Sequence, residues 1–333
     1  MSNKNHSLAR SLVSFCITLL ILAAAFLLFF NRQYLFDQYQ VWTYKPTSAV
    51  QAIESQVKFT PSGDFIFRAT HPEVEQAASF NKGCPRQEVG NPILGCYTTD
   101  NRIYIYSITN TQLAGMEEVT AAHEMLHAAW ARMSSSEQQS LGVELQAAYD
   151  KLDNADLKQR MSYYQRTEPG EFINELHSIL GTEFANLGPD LEQHYSQYFD
   201  RQAVLAAHDQ YSKVYDGLYS RSNTLYTAMQ TLASSIQSRS ATYNTQLAQL
   251  SSDIDSFNTR ARSGDFSSQS QFDSQRAALI ARSNQLDADR EAINADIDTY
   301  NNDYNEYQQI ASQIQVLNNS IDSFNSLQQA PSV

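Results

Sequence analysis

Two histidines and a glutamate near the middle of the chain have the spacing best suited to chemistry. The segment His123-Glu124-Met125-Leu126-His127 places two imidazoles four residues apart. On a helix they project from the same side, one turn apart, as two corners of a tetrahedral zinc site require. Glu124 points about 100° away from His123, so its carboxylate can take a proton from a metal-held water without ligating the metal. The pattern predicts a hydrolytic zinc site with His123 and His127 as ligands and Glu124 as general base.

The residues around this motif predict the helix that holds it. Apolar side chains at helical spacing run from about residue 112 to 133, with both histidines at the edge of the stripe. The stripe consists of Val119, Ala122, Leu126, Trp130 and Met133. Ser134 and Glu137 have the spacing of a capping box, so a new helix is predicted to start there.

Shorter elements are predicted before the motif. They are an amphipathic helix over 47–58, a strand over 64–68 and a helix over 72–80. Apolar and polar residues then alternate over 93–97 and 102–108, on either side of a Thr98-Thr99-Asp100-Asn101 turn. This alternation predicts a β-hairpin just before the motif helix.

The motif and the strand before it resemble the zincin metallopeptidases. The likeness consists of Ala122 to Ala128 together with the strand-like segment Arg102 to Ile108, and it does not extend to the C-terminal part. In that superfamily the strand edging the cleft pairs with an extended substrate, which implies a peptide or protein substrate. The metzincin extension is absent, because AAWARMSSSE follows the second histidine. The resemblance therefore implies a gluzincin-like plan, with a glutamate from a later helix as third ligand.

Glu175 is the expected third ligand. Residues 171–180 predict a helix introduced by Pro169-Gly170, and Glu175 lies at the edge of its apolar stripe, as the two histidines do on theirs. That stripe consists of Phe172, Leu176 and Ile179. A hydrolytic zinc usually has three protein ligands and one open position for water. Rival ligands remain at Glu171, His177 and Glu183; His177 could instead donate to the transition-state oxyanion.

An uncharged apolar run over residues 11–30 predicts a membrane anchor. Twenty helical residues span the ~30 Å hydrocarbon layer, and Lys4 and Arg10 before them favour a cytoplasmic N-terminus. The alternative is a cleaved signal peptide, but the run is long for one and no clean cleavage site follows. Aromatic residues after it suit an aromatic belt at the outer interface or a simple amphipathic juxtamembrane helix. They are Tyr34, Phe36, Tyr39, Trp42 and Tyr44.

Charge and cysteine usage agree with an exported protein. The net charge of −13 argues against nucleic-acid binding, which needs a basic face, and means that membrane attachment requires a dedicated anchor. Cys84 and Cys96 flank an irregular loop, which predicts a local disulfide in an oxidising compartment, with two buried free thiols as the alternative. Cys16 lies within the apolar run and is expected to be inert.

The chain changes character after about residue 201 and becomes rich in Ser, Gln, Asn and Asp. Apolar residues recur there without a miss every seven positions, which predicts supercoiled helices. The repeat is Phe272, Leu279, Leu286, Ile293, Tyr300, Tyr307, Ile314 and Ile321. A turn-like segment at 263–268 predicts two antiparallel helices rather than a parallel dimer through one long helix.

The predicted fold class is mostly α, with a small α+β zincin-like catalytic domain. The predicted regions are a cytoplasmic tail 1–10, a transmembrane anchor 11–30, a juxtamembrane linker 31–58, a zinc metallopeptidase-like domain 59–200 and a coiled-coil hairpin 201–328. The expected function is that of a membrane-anchored, extracytoplasmic zinc peptidase. The alternative is a non-enzymatic, membrane-tethered coiled-coil scaffold or adhesion protein with a structural or vestigial zinc site. Glu124 favours the enzyme, because a structural zinc site needs no acid at that position. The coiled coil, with a possible protein partner, is compatible with both functions.

Overall fold

The computed structural model describes residues 3–85 and 92–324, which are mostly helical with one small sheet. Residues 1–2 of the predicted tail and 325–328 of the predicted hairpin lie outside this part. The chain divides into two compact units. One contains the residues up to Val214 together with those from Leu317 onward, and the other is Tyr215–Val316.

The first unit contains most of the elements. In chain order these are α1 (Asn3–Phe30), α2 (Arg32–Thr43), α3 (Ser48–Val57), α4 (Pro61–Ala69), β1 (Glu73–Glu75), α5 (Ala77–Gly83), β2 (Gly95–Tyr97), β3 (Ile103–Tyr106), α6 (Met116–Trp130), α7 (Ser135–Lys151), α8 (Ala155–Thr167), α9 (Phe172–Glu183) and α10 (Pro189–Ser196). The two long helices are α11 (Arg201–Ser263), which begins in this unit, and α12 (Gln269–Ile321), which ends in it.

The N-terminal helices differ from the predicted single anchor. Within the described residues, no one helix is long and apolar enough to cross a membrane. By length and composition, Ser14–Phe30 of α1 and Arg32–Thr43 could cross a membrane only as a pair, and the two helices are bent by 67° relative to each other. The structure therefore does not support a single straight span over residues 11–30.

The sheet has three strands in the order β1-β3-β2. Strand β2 pairs antiparallel with β3, with Cys96 opposite Tyr104, so the predicted hairpin is confirmed. Its turn is closed by the Thr98 N–H, which donates to the Arg102 carbonyl, and Asn101 has a positive φ of 64°. Strand β1 pairs parallel with the other side of β3, which leaves β2 as an edge strand.

Two local predictions before the hairpin are wrong. Residues 64–68, predicted as a strand, lie in α4, because Thr60 caps the Gly63 N–H and Pro61 starts the helix. Gly63 and Phe67 are buried four residues apart, which is a helical spacing. Gly63 lies just outside the five residues of the predicted strand, so those residues alone do not reveal it. The helix predicted over 72–80 divides into β1 and α5, since Glu73–Glu75 pairs with β3 far along the chain.

Helix α6 is central to the first unit and packs against α9, α3, α4 and both strands of the hairpin. The predicted helix over 47–58 is present as α3, which buries Val50, Ile53 and Val57. The capping box formed by Ser134 and Glu137 starts α7 as predicted. The predicted helix over 171–180 is present as α9 and continues through Gly181 to Glu183.

In the second unit, α11 and α12 run antiparallel. Ion pairs join Arg221 to Glu306, Arg239 to Asp296 and Asp253 to Arg282, so the partner's number falls as the number along α11 rises. The chain reverses at Gly264, where φ is 73°, within the segment that the sequence marks as a turn. Among the seven-residue repeat, Leu286 and Ile293 are buried.

Candidate metal centre

The structure brings together His123 and His127 of α6 and Glu175 of α9. Their potential ligand atoms all lie within 4.8 Å of one another. The two Nε2 atoms are 3.1 Å apart, and Glu175 oxygens lie 3.7 Å from His123 Nε2 and 3.6 Å from His127 Nε2. Tetrahedral zinc ligands at ~2.0–2.1 Å from the metal lie about 3.3 Å from one another. The cluster could therefore hold a metal ion with only small movements of its side chains.

Close packing of α6 on α9 sets this geometry. Helix α6 buries four alanines at its centre, namely Ala121, Ala122, Ala128 and Ala129. On α9, a methyl group at Gly181 would collide with the side chains of Leu126 and Tyr195. The absence of a side chain at Gly181 thus lets Leu126 of α6 pack closely against α9, and Glu175 of α9 lies beside the two histidines.

A second layer of hydrogen bonds orients His127. Its Nδ1 lies 2.9 Å from Asn174 Oδ1, and Asn174 Nδ2 donates to Glu171 Oε2 over 2.9 Å. Because an ionised carboxylate only accepts hydrogen bonds, the Asn174 amide must direct its nitrogen to Glu171 and its oxygen to His127. His127 therefore carries its proton on Nδ1, which leaves the Nε2 lone pair facing the cluster.

The electrostatic environment keeps Glu175 ionised. Burial by itself would raise the pKa of this carboxyl, but the nearby imidazoles of His127 and His123 lower the pKa to about 2. The Tyr164 hydroxyl also donates to Glu175 and lowers its pKa further. An anionic carboxylate between two imidazoles is the charge arrangement that suits a divalent cation.

Glu124 is buried beside the cluster but is not part of it. Desolvation raises the pKa of its carboxyl to about 7, against the lowering effects of His127 and of the Tyr97 backbone N–H, which donates to it. Strand β2 covers the side chain closely, since a methyl group at Gly95 would come within 3.0 Å of Glu124 Oε1. Glu124 is thus held under the edge strand, near the ligands.

Two sets of hydrogen bonds, joined only through the Tyr97 residue itself, connect Glu124 to helix α2. The Tyr97 hydroxyl donates to Asn101 Oδ1 over 2.9 Å, and Arg132 donates to the same oxygen over 2.9 Å. Arg132 also forms a two-bond ion pair with Asp37 of α2, at 2.9 and 2.8 Å. Asp37 is only 2% exposed, so this pair is a buried link between α2 and the strand over Glu124.

The three rival ligands lie outside the cluster. Glu171 acts through Asn174, as described above. His177 is fully buried, with its Nε2 2.9 Å from His194 Nε2. Glu183 forms a two-bond ion pair with Arg160, at 2.6 and 2.8 Å. Each rival therefore has another partner in this structure.

Sequence reasoning missed several residues that support the site. They are Asp37, Tyr97, Asn101, Arg132, Tyr164 and Asn174. Only Asn174 had a usable signal, because it lies three residues after Glu171 and next to Glu175 on a predicted helix. The others reach the site through tertiary contacts between segments far apart in the chain.

The cluster opens onto a cleft of about 1000 Å³. The cleft is lined by both ligand histidines, Glu124, β2 and residues of α8 and α9. The predicted disulfide is present at its border, where Cys84 and Cys96 are bonded with their Cα atoms 5.9 Å apart. It ties the end of α5 to the edge strand.

No protein-family model matches the chain, and neither the curated proteins nor the solved structures include one significantly similar to it. Inference about function therefore depends on the chemistry of this site.

Proposed function

We propose that the protein is a zinc-dependent peptidase that hydrolyses peptide bonds in an open cleft. The observation that carries this proposal is the buried carboxyl of Glu124 beside the cluster of His123, His127 and Glu175. A purely structural metal site would not need a buried, unligating acid in the lining of a cleft.

The donor set supports zinc as the metal. Two imidazoles and one carboxylate are a combination found in hydrolytic zinc sites, which keep a fourth position open. A zinc ion bound there would lower the pKa of a water molecule and polarise the scissile carbonyl. His123, His127 and Glu175 would hold the ion; Asn174 orients His127, and Tyr164 fixes Glu175.

Glu124 is the proposed general base and then the general acid. It takes a proton from the attacking water as the water oxygen bonds to the carbonyl carbon. It then delivers that proton to the amide nitrogen as the C–N bond breaks, so that the carboxylate is regenerated. Burial raises the pKa of this carboxyl above its ordinary value, which strengthens it as a base and keeps it able to return the proton.

The edge strand β2 is the proposed substrate-binding element. One side of β2 pairs with β3, and the Tyr97 N–H on β2 is directed to Glu124 in the cleft. An extended peptide could add to this edge by backbone hydrogen bonds, which would place its carbonyl near the cluster. The substrate is therefore proposed to be a peptide or an extended segment of a protein.

The site is proposed to face the extracytoplasmic side of a membrane. The exposed apolar residues of α1 would provide the attachment, with the N-terminus in the cytoplasm. The disulfide between Cys84 and Cys96 supports an oxidising compartment. The paired helices α11 and α12 provide a long surface on which a protein partner could bind.

The test compares Glu124→Gln with Glu118→Gln, which changes a second acid on the same helix. Each purified protein is assayed for zinc content and for cleavage of a mixed peptide library. We expect all three proteins to bind zinc and only Glu124→Gln to lose cleavage, by about 10²–10⁴-fold. Equal cleavage by Glu124→Gln would refute the assignment of the base. Zinc binding without cleavage by the wild type would favour the tethered scaffold.

A further inference from the structure

Helix α2 has the reverse of the polarity expected for a helix on the surface of a soluble domain. Its inward side carries Asp37, which is buried against Arg132. Its outward side carries Leu35, Tyr39 and Trp42, which follow one another by four and three residues and therefore share a face. Trp42 is 82% exposed and Tyr39 59% exposed. A charge faces the protein and aromatic rings face away from it, so something other than this protein domain must favour the outward face.

We propose that the outward face of α2 lies in the headgroup layer of a lipid bilayer. Tyr and Trp are suited to this layer because their rings are apolar and their O–H or N–H groups can still reach water. The face is continuous with α1, where Phe15 to Phe30 include many exposed apolar side chains. Because α2 directly follows α1, a bilayer that holds the apolar side chains of α1 would also contact the outward face of α2. A protein partner would instead have to bind beside the apolar helix.

The bend between the two helices agrees with this placement. Ser14–Phe30 and Arg32–Thr43 meet at 67°. If Ser14–Phe30 enters the bilayer close to its normal, Arg32–Thr43 lies near the membrane plane, as an interfacial helix does. Asn31 at the junction is too short a connection to separate the two helices from one another.

The inward side of α2 fixes how the cleft is presented to the membrane. Arg132 follows the motif helix α6 and holds Asp37 on one side and Asn101 on the other. Tyr44, just after α2, donates to the Pro72 carbonyl over 2.6 Å, and His71 Nε2 lies 2.8 Å from the Gln40 carbonyl. The helix is thus bound to the domain that contains the cluster, so a bilayer under α2 would hold the cleft at a fixed orientation. The inference rests on the proposed membrane attachment and not on peptidase activity.

The test uses tryptophan fluorescence of the full chain in phosphatidylcholine vesicles. The chain has two tryptophans, Trp42 and Trp130, and Trp42→Phe isolates the signal of the first by difference. Quenching by lipids brominated near the headgroup end of their acyl chains is compared with quenching by aqueous acrylamide. We expect brominated lipid to remove most of the Trp42 emission and acrylamide to remove little of it.

A matched pair of variants tests whether the outward face causes this result. Tyr39→Glu places a charge on that face, and Tyr39→Phe keeps an apolar ring at the same exposed position. We expect Tyr39→Glu to lose the lipid quenching of Trp42 and Tyr39→Phe to keep it. Quenching by acrylamide alone would show the face in water, and protection from both quenchers would show a protein partner or second copy; either result overturns the proposal. Failure of the chain to float with vesicles would also overturn it. Zinc content and cleavage, measured on the same samples, report on the peptidase separately.

Discussion

The first unit contains two pairs of histidines that look alike in their separation and differ in their surroundings. His123 and His127 have Nε2 atoms 3.1 Å apart, and His177 and His194 have theirs 2.9 Å apart. The first pair faces a carboxylate and a cleft. The second pair is enclosed by aromatic rings, including those of Trp130 and Tyr195.

Neighbouring groups decide what each pair can do. Burial lowers the pKa of His194 to about 4 and that of His177 well below its ordinary value, so both rings are neutral and one N–H can bond to the other ring. No carboxylate joins that pair in a metal-binding group within the described residues. In the first pair, Glu175 supplies the negative charge and Asn174 holds one imidazole with its Nε2 lone pair free. Proximity of two imidazoles is therefore insufficient for a metal site.

The largest difference between the pairs should be seen in metal affinity. Alanine at His123, His127 or Glu175 removes one of three ligands, and we expect a loss greater than the ~10–100-fold typical of outer-shell partners. His194→Ala should bind zinc as the wild type does. The measurement is competition with a chromogenic zinc chelator, with folding checked by circular dichroism. Wild-type affinity in Glu175→Ala would remove Glu175 from the site.

The same comparison separates what the sequence could predict from what it could not. The cluster could be predicted because both of its helices are strongly periodic. The spacing of His123 and His127 places them on one side of α6, and the apolar stripe of α9 places Glu175 at its edge. The environment of His177 was not predictable, since its partner His194 comes from a different helix. At the edge of the apolar stripe of α9, His177 is as well placed to be a metal ligand as Glu175 is.

Local and long-range contributions explain the fold predictions in the same way. The seven-residue repeat predicted long helices because each of its residues reports on the same helix face, and the turn-like segment at 263–268 divided them into two. The strand predicted over 64–68 was wrong because five residues do not distinguish alternation from a single helical turn, and the cap at Thr60 decided the outcome. Strand β1 was missed because three residues become a strand only by pairing with β3. Partners distant in sequence also explain why the link from Asp37 to Glu124 was not foreseen.

The effect of the second pair, His177 and His194, should be seen in the stability of the protein in acid. The unfolded chain protonates histidine near pH 6.5, whereas folded His194 stays neutral until pH about 4. Between these values the unfolded state binds more protons, so the free energy of unfolding falls as the pH is lowered, by up to about 3 kcal/mol. We expect His194→Asn to reduce this loss, measured by urea unfolding of metal-free protein from pH 7 to 4.

Tyr198→Phe is the matched control for the acid effect. Its ring lies 5.4 Å from the His194 ring, so the variant keeps that packing and removes only a hydroxyl. The control should retain the wild-type dependence on pH. The interpretation of the second pair as a neutral hydrogen-bonded pair fails if His194→Asn loses stability over this pH range as steeply as the wild type.

The smallest expected effect concerns the residue that makes the first pair different. Asn174→Ala removes the acceptor for His127 Nδ1–H, so the imidazole is free to rotate or to change tautomer, and its Nε2 lone pair is no longer held toward the cluster. Zinc affinity should fall by about 10–100-fold, as is usual when an outer-shell partner of a metal-binding histidine is lost. Glu171→Gln is the control, because a glutamine oxygen can still accept from the Asn174 amide, and its affinity should stay close to that of the wild type. Chelator competition measures both variants beside His194→Ala. If Asn174→Ala binds zinc as tightly as Glu171→Gln does, the orientation of His127 is set by the helix alone, and the contrast between the two pairs reduces to the presence of Glu175.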